Sequence, residues 1–251
     1  MNNQFESALS SHDERSISVR EKDLTDEVMD EMDVAAALYY LWTGVEPTDG
    51  QRRLVDAMLT SLMVHGKTPS AIAGRLTQMS APEAPQAAIA SGILGVGDRF
   101  IGSMLECAEQ LDELVAADDT EAAVATLVAD SRATETAFPG LGHPHLQPVD
   151  PRAERLFDIA AEEDIAGEHT AMLRVVQSAF EDEVGSSLPI NVTGAIAALT
   201  ADIGLSPTAA RGLAVISRAI GVTGEVLEEQ ENPIGPDIWA AVDEQTTSPD
   251  E

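Results

Sequence analysis

The residues best suited to chemistry on an oxo-acid are a histidine and an arginine nine residues apart, His143 and Arg152. A Gly-rich turn over residues 139–142 precedes the histidine. Asp150 is a good helix N-cap and Pro151 a good first helical residue, so a helix is predicted to begin just before the arginine. Histidine can polarise or protonate a carbonyl, and arginine can clamp a carboxylate with two parallel hydrogen bonds. The spacing therefore suggests a site for an oxo-acid or a hydroxy-acid.

Helical periodicity of the apolar residues predicts that α-helices hold these side chains in place. The predicted helices cover residues 34–42, 48–65, 68–76, 85–94, 104–115, 121–128, 152–161, 170–180, 195–203 and 206–229. Aromatic residues make up only 4% of the chain and alanine recurs among the apolar ones, which favours close-packed helices over a β-sandwich. Ile17 and Val19 alternate with polar neighbours, which indicates one short extended piece but no sheet. The predicted fold class is all-α.

The distribution of polar residues predicts one domain with two polar ends. Residues 16–245 are long enough for a sizeable core, residues 1–15 are expected to be flexible, and residues 246–251 form an acidic tail. No stretch has the ~18 uninterrupted apolar residues of a membrane span. The first residues also lack the pattern of a signal peptide, so a cytoplasmic protein is expected.

The charge balance restricts the classes of partner. There are 44 acidic residues against 14 basic ones, which gives a net charge of −30. The acidic residues are spread over most segments, as expected of a surface adapted to high salt, where such charges are screened. This predicts a halophilic protein for which nucleic acid and anionic membranes are poor partners. Cys107 is the single cysteine and lies on an apolar helical face, so a structural thiol is predicted and a Cys-rich metal site is excluded.

The central stretch, residues 139–153, resembles a signature of citrate synthases and their citryl-CoA lyase relatives. That signature is Gly-x-Gly-His, a short link, and Asp-Pro-Arg. Further segments resemble the same family in the same order, over residues 38–48, 65–71, 97–102, 191–194 and 217–221. Phe100 stands where the synthases have a histidine, so the pattern is most similar to the lyase branch, including the lyase module that ends ATP-citrate lyase.

The resemblance implies an all-helical, citrate synthase-like homodimer with its active site at the interface between two copies. It implies cleavage of citryl-CoA, or a related 3-hydroxyacyl-CoA, to acetyl-CoA and oxaloacetate. In this interpretation His143 faces the tertiary hydroxyl, His65 helps to hold the oxo-acid, and Thr193 occupies the catalytic position of the family aspartate. The implied substrate-binding residues are Arg152, Arg218, Arg99, Asn191 and Phe100. The implied partners are an acyl-CoA and an oxo-acid; no metal is required, and no cofactor is bound beyond the CoA carried by the substrate.

Two departures from the family pattern keep other functions open. Thr193 replaces an aspartate, and a threonine hydroxyl cannot serve unaided as a general base near neutral pH. Asn232 replaces the arginine that precedes a proline in the family. Asp202 and Glu225 offer carboxylates on later helices, although the sequence does not place them near the site. The alternatives are a citrate synthase-type condensing acyltransferase, and a non-catalytic homologue that binds an acyl-CoA or an oxo-acid.

Overall fold

The computed structural model describes residues 7–97, 101, 103–143, 146, 148–165 and 167–246. Within these ranges the chain forms a succession of α-helices and one small sheet, which confirms the predicted all-α class. The helices are α1 Val34–Thr43, α2 Asp49–Leu62, α3 Pro69–Ser80, α4 Pro85–Leu94, α5 Ser103–Val115, α6 Thr120–Thr134, α7 Pro151–Glu162, α8 Glu168–Val184, α9 Val192–Asp202, α10 Pro207–Glu231 and α11 Gly235–Gln245.

Local sequence signals set most of these helix ends. Thr48 and Gln51 form a capping box at the start of α2, and Thr68 caps α3 through the backbone N–H of Ala71. Gly44 ends α1 in the left-handed region at φ 78°, where a glycine is unstrained. Such signals act within one helical turn, so they can be recognised without knowledge of the tertiary fold.

The structure extends α3, α6 and α8 beyond their predicted ends and adds α11, which was not predicted. Two further predicted boundaries were wrong in ways that matter for the site. α2 ends at Leu62, so His65 lies in the loop after the helix and not in its last turn. α9 begins at Val192 because the Asn191 side chain accepts hydrogen bonds from two first-turn N–H groups. Thr193 therefore belongs to the first turn of α9, where the sequence pattern had indicated a loop.

The prediction that the chain has no sheet was also wrong. Three short antiparallel strands, β1 Ser10–His12, β2 Ile17–Val19 and β3 Lys22–Asp23, pair in sequence order. Asp13 closes the first turn by accepting hydrogen bonds from the next backbone N–H groups. The first strand is fully exposed, so it has no buried face to produce the alternation that would have predicted it.

Helix α9 lies at the centre of the core. Its residues from Val192 to Thr200 are all buried, and it packs against α5, α7, α8 and α10. A helix that is apolar on every side is typical of the interior, and its small residues permit close approach of its neighbours. Gly194 lies against the backbone of Gly140, since a Cβ at Gly194 would come within 2.5 Å of the Gly140 carbonyl oxygen. The central stretch is therefore packed directly onto the start of α9.

Helix α10 supports the site from the other side. A Cβ at Gly221 would overlap the carbonyl oxygen of Met63, and Ser217 donates a hydrogen bond to the carbonyl of Leu59. These contacts hold the end of α2 and the loop that carries His65. On the same helix Glu225 pairs with the buried Arg75 of α3.

The predicted structural role of Cys107 agrees with its surroundings. The thiol is fully buried in α5, and a Cβ at Gly140 would come within 2.9 Å of its Sγ atom. Burial raises the pKa of the Cys107 thiol far above its ordinary value, which keeps it protonated and unreactive.

Candidate active site

One cavity of about 670 Å³ collects most of the residues that the sequence nominated. It is bounded by the loop after α2, the starts of α5, α7 and α9, and the middle of α10. Six of the eight predicted site residues line it: His65, His143, Arg152, Asn191, Thr193 and Arg218. The other two, Arg99 and Phe100, lie outside the described residues.

The central stretch folds so that its histidine and arginine face one space. Arg152 Nη2 lies 3.5 Å from His143 Nε2. The buried Asp150 carboxylate orients the guanidinium, accepting hydrogen bonds from Arg152 Nε at 3.0 Å and from Nη2 at 2.8 Å. Burial acts to raise the pKa of Asp150, but the hydrogen bonds and charge of Arg152 outweigh it and hold that pKa below its ordinary value. Asp150 is therefore an anion that fixes the arginine, besides being the predicted N-cap of α7.

The hydrogen bonding of His143 defines what its ring can do. Its Nδ1 atom accepts a hydrogen bond of 2.9 Å from the backbone N–H of Leu146. A neutral imidazole that accepts at Nδ1 carries its proton on Nε2, the nitrogen that faces Arg152. Both groups are then donors, and an oxygen atom of a ligand placed between them can accept from both.

His65 reaches the same space from the loop after α2. Its ring lies edge-on to the ring of His143, with centroids 5.7 Å apart and an interplanar angle of 87°. Burial, followed by electrostatic repulsion from Arg152, His143 and Arg218, lowers the pKa of His65 below its ordinary value. His65 is therefore neutral near pH 7, and a neutral ring can donate one hydrogen bond to a substrate oxygen.

Arg218 is a buried cation that no described residue pairs with directly; Glu225, which pairs with Lys67 and Arg75, favours its charge only at longer range. Arg218 is only 6% exposed, and among the described residues no hydrogen-bond or ion-pair partner contacts its guanidinium; the Nε atom in particular is buried and unpaired. Burial and repulsion by Arg152 lower the pKa of Arg218, although an arginine stays charged at neutral pH. A buried cation without a partner is unfavourable unless an anionic ligand completes its environment. With 6% exposure, Arg218 is not a solvated surface residue of α10.

Thr193 does not offer a base to the cavity. Its hydroxyl donates a hydrogen bond of 2.6 Å to Asn191 Oδ1 and lies 3.4 Å from the hydroxyl of Ser103. The two carboxylates considered as substitutes are used elsewhere. Asp202 is fully buried and caps the start of α8, and Glu225 pairs with Lys67 and Arg75. Among the described residues that line the cavity, none is a carboxylate.

Sequence reasoning missed four polar residues of the lining, Lys67, Thr68, Ser70 and Ser103, of which two are close to the nominated groups. Ser103 is the first residue of α5, and only the packing of α5 on α9 brings its hydroxyl to Thr193. Lys67 follows His65 in the same loop, and its ammonium lies 2.8 Å from Glu225. Lys67 could have been predicted to line the cavity, because it lies two residues after His65 in the sequence. The position of Ser103 in the cavity could not, because it depends on tertiary contacts. Asn232, by contrast, is an exposed C-cap of α10 and does not line the cavity of its own chain.

The described part of the chain contains no group of three or more His, Cys, Asp or Glu residues arranged to hold a metal ion. None of the helices in these ranges is both long enough and apolar enough to cross a bilayer.

Comparison with known proteins agrees with this fold. The family model described as citrate synthase, C-terminal domain, matches residues 10–237. The citryl-CoA lyase of Hydrogenobacter thermophilus superposes with a TM-score of 0.83 at 29% identity, covering 91% of this chain and 88% of that one. ATP citrate lyase of Methanothrix soehngenii, in complex with citrate and coenzyme A, superposes with a TM-score of 0.78 at 20% identity. The match covers 92% of this chain and 39% of that chain.

A citrate synthase of Thermoplasma acidophilum, in a ternary complex with carboxymethyl coenzyme A and oxaloacetate, superposes less closely. Its TM-score is 0.66 at 19% identity, and 80% of this chain and 54% of that chain are covered. At this identity, and at that of ATP citrate lyase, the likeness concerns the fold alone. No curated protein sequence matches the chain. Since the family model covers most of its length, the chain belongs to the citrate synthase family.

Proposed function

We propose that this protein is a citryl-CoA lyase-like carbon–carbon lyase, which cleaves citryl-CoA or a related 3-hydroxyacyl-CoA to acetyl-CoA and oxaloacetate. The observation that carries the proposal is the cavity in which His65, His143, Arg152 and Arg218 converge without a carboxylate among the described lining residues. In a chain with a net charge of −30, such a site is specific for an anion that carries carboxylates and a polar oxygen. The higher TM-score with the Hydrogenobacter lyase, 0.83 against 0.66 for the Thermoplasma synthase, supports the lyase over the synthase.

The reaction assigns a role to each group. Arg152 and Arg218 bind the carboxylates of the oxo-acid half, and His143 contacts the oxygen that is a hydroxyl in the substrate and a ketone in the product. For cleavage the neutral ring must carry its own proton on Nδ1, so that Nε2 accepts the hydroxyl proton as the carbon–carbon bond breaks. The bonding electron pair then becomes the enolate of acetyl-CoA. Neutral His65 donates a hydrogen bond to the oxo-acid half. The thioester oxygen, where the negative charge develops, requires a further donor. Water protonates the enolate carbon, and the hydroxide that remains takes the proton held by the His143 ring, which returns to its neutral form.

A second candidate, condensation of an acyl-CoA with an oxo-acid, is favoured by one specific observation. The hydrogen bond from Leu146 leaves the proton of a neutral His143 on Nε2, which suits donation to a ketone. To accept a hydroxyl proton, the ring must instead carry its proton on Nδ1 and lose that bond. Phe100, where the synthases have a histidine, counts against condensation.

A third candidate is ligand binding without turnover. Thr193 removes the family base, and Asn232 removes a cation that the family supplies. Every binding group described above would still hold an oxo-acid in this case.

The deciding experiment is an assay with citryl-CoA in molar salt, with release of oxaloacetate as the readout. Turnover supports the lyase, and no turnover by folded protein rejects it. Thiol release from acetyl-CoA and oxaloacetate would support the condensing enzyme, and no release with a panel of oxo-acids would reject it. If neither reaction proceeds, calorimetry with oxaloacetate and CoA esters tests the binding role, which an absence of binding would exclude.

We also propose that two copies associate, as the family does, and that the protein works in a salt-rich cytoplasm. Exposed apolar side chains at Leu94, Ile220 and Leu227 are consistent with a covered surface. Light scattering in molar salt should give the mass of a dimer, and the mass of a single chain would contradict the association.

A further inference from the structure

We propose that Asn191 is a positioning residue for His143, and not the substrate-binding residue that the sequence suggested. The inference rests on the proposed oxo-acid site. Every polar atom of the Asn191 side chain is already used inside the protein. Oδ1 accepts from the Thr193 hydroxyl at 2.6 Å and from the N–H groups of Thr193 and Gly194 at 3.1 Å, and Nδ2 donates to the Gly142 carbonyl at 2.9 Å.

The segment that carries His143 is paired with the segment that precedes α9. Gly142 N–H donates to the Pro189 carbonyl at 2.7 Å, and Asn191 N–H donates to the Gly140 carbonyl at 2.9 Å. Asn191 therefore contacts this segment through its backbone at Gly140 and through its side chain at Gly142.

The side-chain contact controls His143 because of where the bond is made. The Gly142 carbonyl and the His143 N–H belong to one planar peptide unit, so a fixed carbonyl also fixes the backbone of the histidine. Gly140 and Gly142 have φ values of 99° and 76°, which glycine adopts without strain, and a glycine backbone has more conformational freedom than that of other residues. Asn191 removes that freedom directly before His143.

The start of α9 is not itself an anion site. The N–H of Val192 donates to Asp150 at 3.0 Å, and the N–H groups of Thr193 and Gly194 donate to Asn191. These first-turn donors are occupied, so a ligand in the cavity contacts side chains that α9 holds in place. Asp150 fixes the guanidinium of Arg152, just as Asn191 fixes the backbone of His143.

The test compares Asn191→Ser with Asp119→Ala. Serine retains an oxygen that can cap α9 but cannot reach Gly142. Asp119 is an exposed N-cap of α6, which contributes no residue to the cavity, so its replacement controls for the loss of a cap. Calorimetry with oxaloacetate should give a Kd about tenfold higher for Asn191→Ser and unchanged for Asp119→Ala.

A double-mutant cycle with His143→Ala separates positioning from general destabilisation. If Asn191 acts through His143, Asn191→Ser changes the Kd little in the His143→Ala background. An equal loss in both backgrounds would overturn the proposal.

A second readout does not depend on ligand binding. In protein labelled with ¹⁵N-histidine, the ring signals of His143, assigned with His143→Ala, should shift or broaden in Asn191→Ser and stay unchanged in Asp119→Ala. Unchanged His143 signals in Asn191→Ser overturn the inference. If the wild type binds no oxaloacetate, the proposed function fails while this spectrum still tests the role of Asn191.

Discussion

The Asp150 carboxylate holds the Arg152 guanidinium through two hydrogen bonds and also receives the backbone N–H of Val192. The carboxylate is fully buried, whereas the Arg152 side chain is 22% exposed toward the cavity. One acidic group thus connects the start of α7, the start of α9 and the cation proposed to bind a carboxylate.

Asp150→Asn should weaken both the fold and the site. The amide preserves the shape but leaves Arg152 without its counter-ion, so the free energy of unfolding should fall by roughly 2 to 4 kcal/mol. Denaturant unfolding and calorimetry with oxaloacetate measure the two effects. The lowered pKa of Asp150 means that its contribution is present above the ordinary carboxyl value of about 3.8 and is lost as the pH falls through the lower folded pKa. Equal stability of wild type and variant at pH 6 would contradict this role.

Arg218→Met should separate stability from binding. Removal of an unpaired buried cation should raise the unfolding free energy of the ligand-free protein by about 1 kcal/mol. The same change should weaken oxaloacetate binding by about 100-fold, because the arginine would have supplied a charged hydrogen bond. Arg155→Gln is the matched control, since Arg155 is exposed and pairs with Glu162 on the surface. A destabilised Arg218→Met variant that binds normally would refute the assignment.

Binding of an oxo-dicarboxylate should be accompanied by proton uptake at His65. Burial and electrostatic repulsion from Arg152, His143 and Arg218 lower the pKa of His65 in the ligand-free protein, and a bound dianion should raise it. The affinity for oxaloacetate should therefore increase as the pH falls from 8 toward 6, and calorimetry in buffers of different ionisation enthalpy would count the protons. The stability of the ligand-free protein should change with pH in the opposite direction to the affinity. The depressed pKa of His65 contributes to folding stability above about pH 6.5, and this contribution is lost as the pH falls below that value. Proton uptake on oxaloacetate binding should be reduced or absent in His65→Gln. Proton release by the wild type would show that His65 does not gain a proton on binding.

Thr193→Asp should create the base that the cavity lacks. A carboxylate there can remove a methyl proton from acetyl-CoA, and general bases contribute roughly 10²- to 10⁴-fold to such steps. The measurement is deuterium exchange into the acetyl methyl group in D₂O with oxaloacetate present, alongside the citryl-CoA assay.

Thr193→Asn is the control for this change, because it has the shape of aspartate without its charge. If both variants behave alike, the charge at this position is not decisive. If the wild type already cleaves citryl-CoA and Thr193→Asp gains little, another group supplies the proton chemistry and the lyase proposal stands.

Gly221→Ala should displace the loop that carries His65. A methyl group at this position would overlap the Met63 carbonyl, so the helices must separate, and overpacking of this kind typically lowers stability by about 1 to 3 kcal/mol. Gly224→Ala is the control in the same helix, because a Cβ there meets no atom within 4 Å and alanine favours the helix. Gly224→Ala should leave oxaloacetate binding unchanged, whereas Gly221→Ala should weaken it. Equal behaviour of the two variants would show that the close approach to Met63 has no role.

The sequence by itself determined the features that depend on a few neighbouring residues. Capping at Thr48 and Thr68 and the left-handed Gly44 are effects within one turn, so helix ends could be predicted there. The pairing of His143 with Arg152 was predictable for the same reason, because a short link joins them. Similarity to a family signature then nominated distant residues, without showing how they meet.

Only the tertiary structure decided which of those residues share a cavity and what each can do. His65 and Arg218 enter it because α2 and α10 pack closely at Gly221, a contact between residues far apart in the chain. Thr193 donates a hydrogen bond to Asn191, which the spacing of these residues in the sequence does not predict. Asn191 in turn donates a hydrogen bond to the loop that carries His143. The exposed strand pairing near the N-terminus escaped prediction because no buried face constrained its pattern. Local signals are fixed by neighbours in sequence, whereas the chemistry of this site depends on which partners each polar group meets after the core has packed.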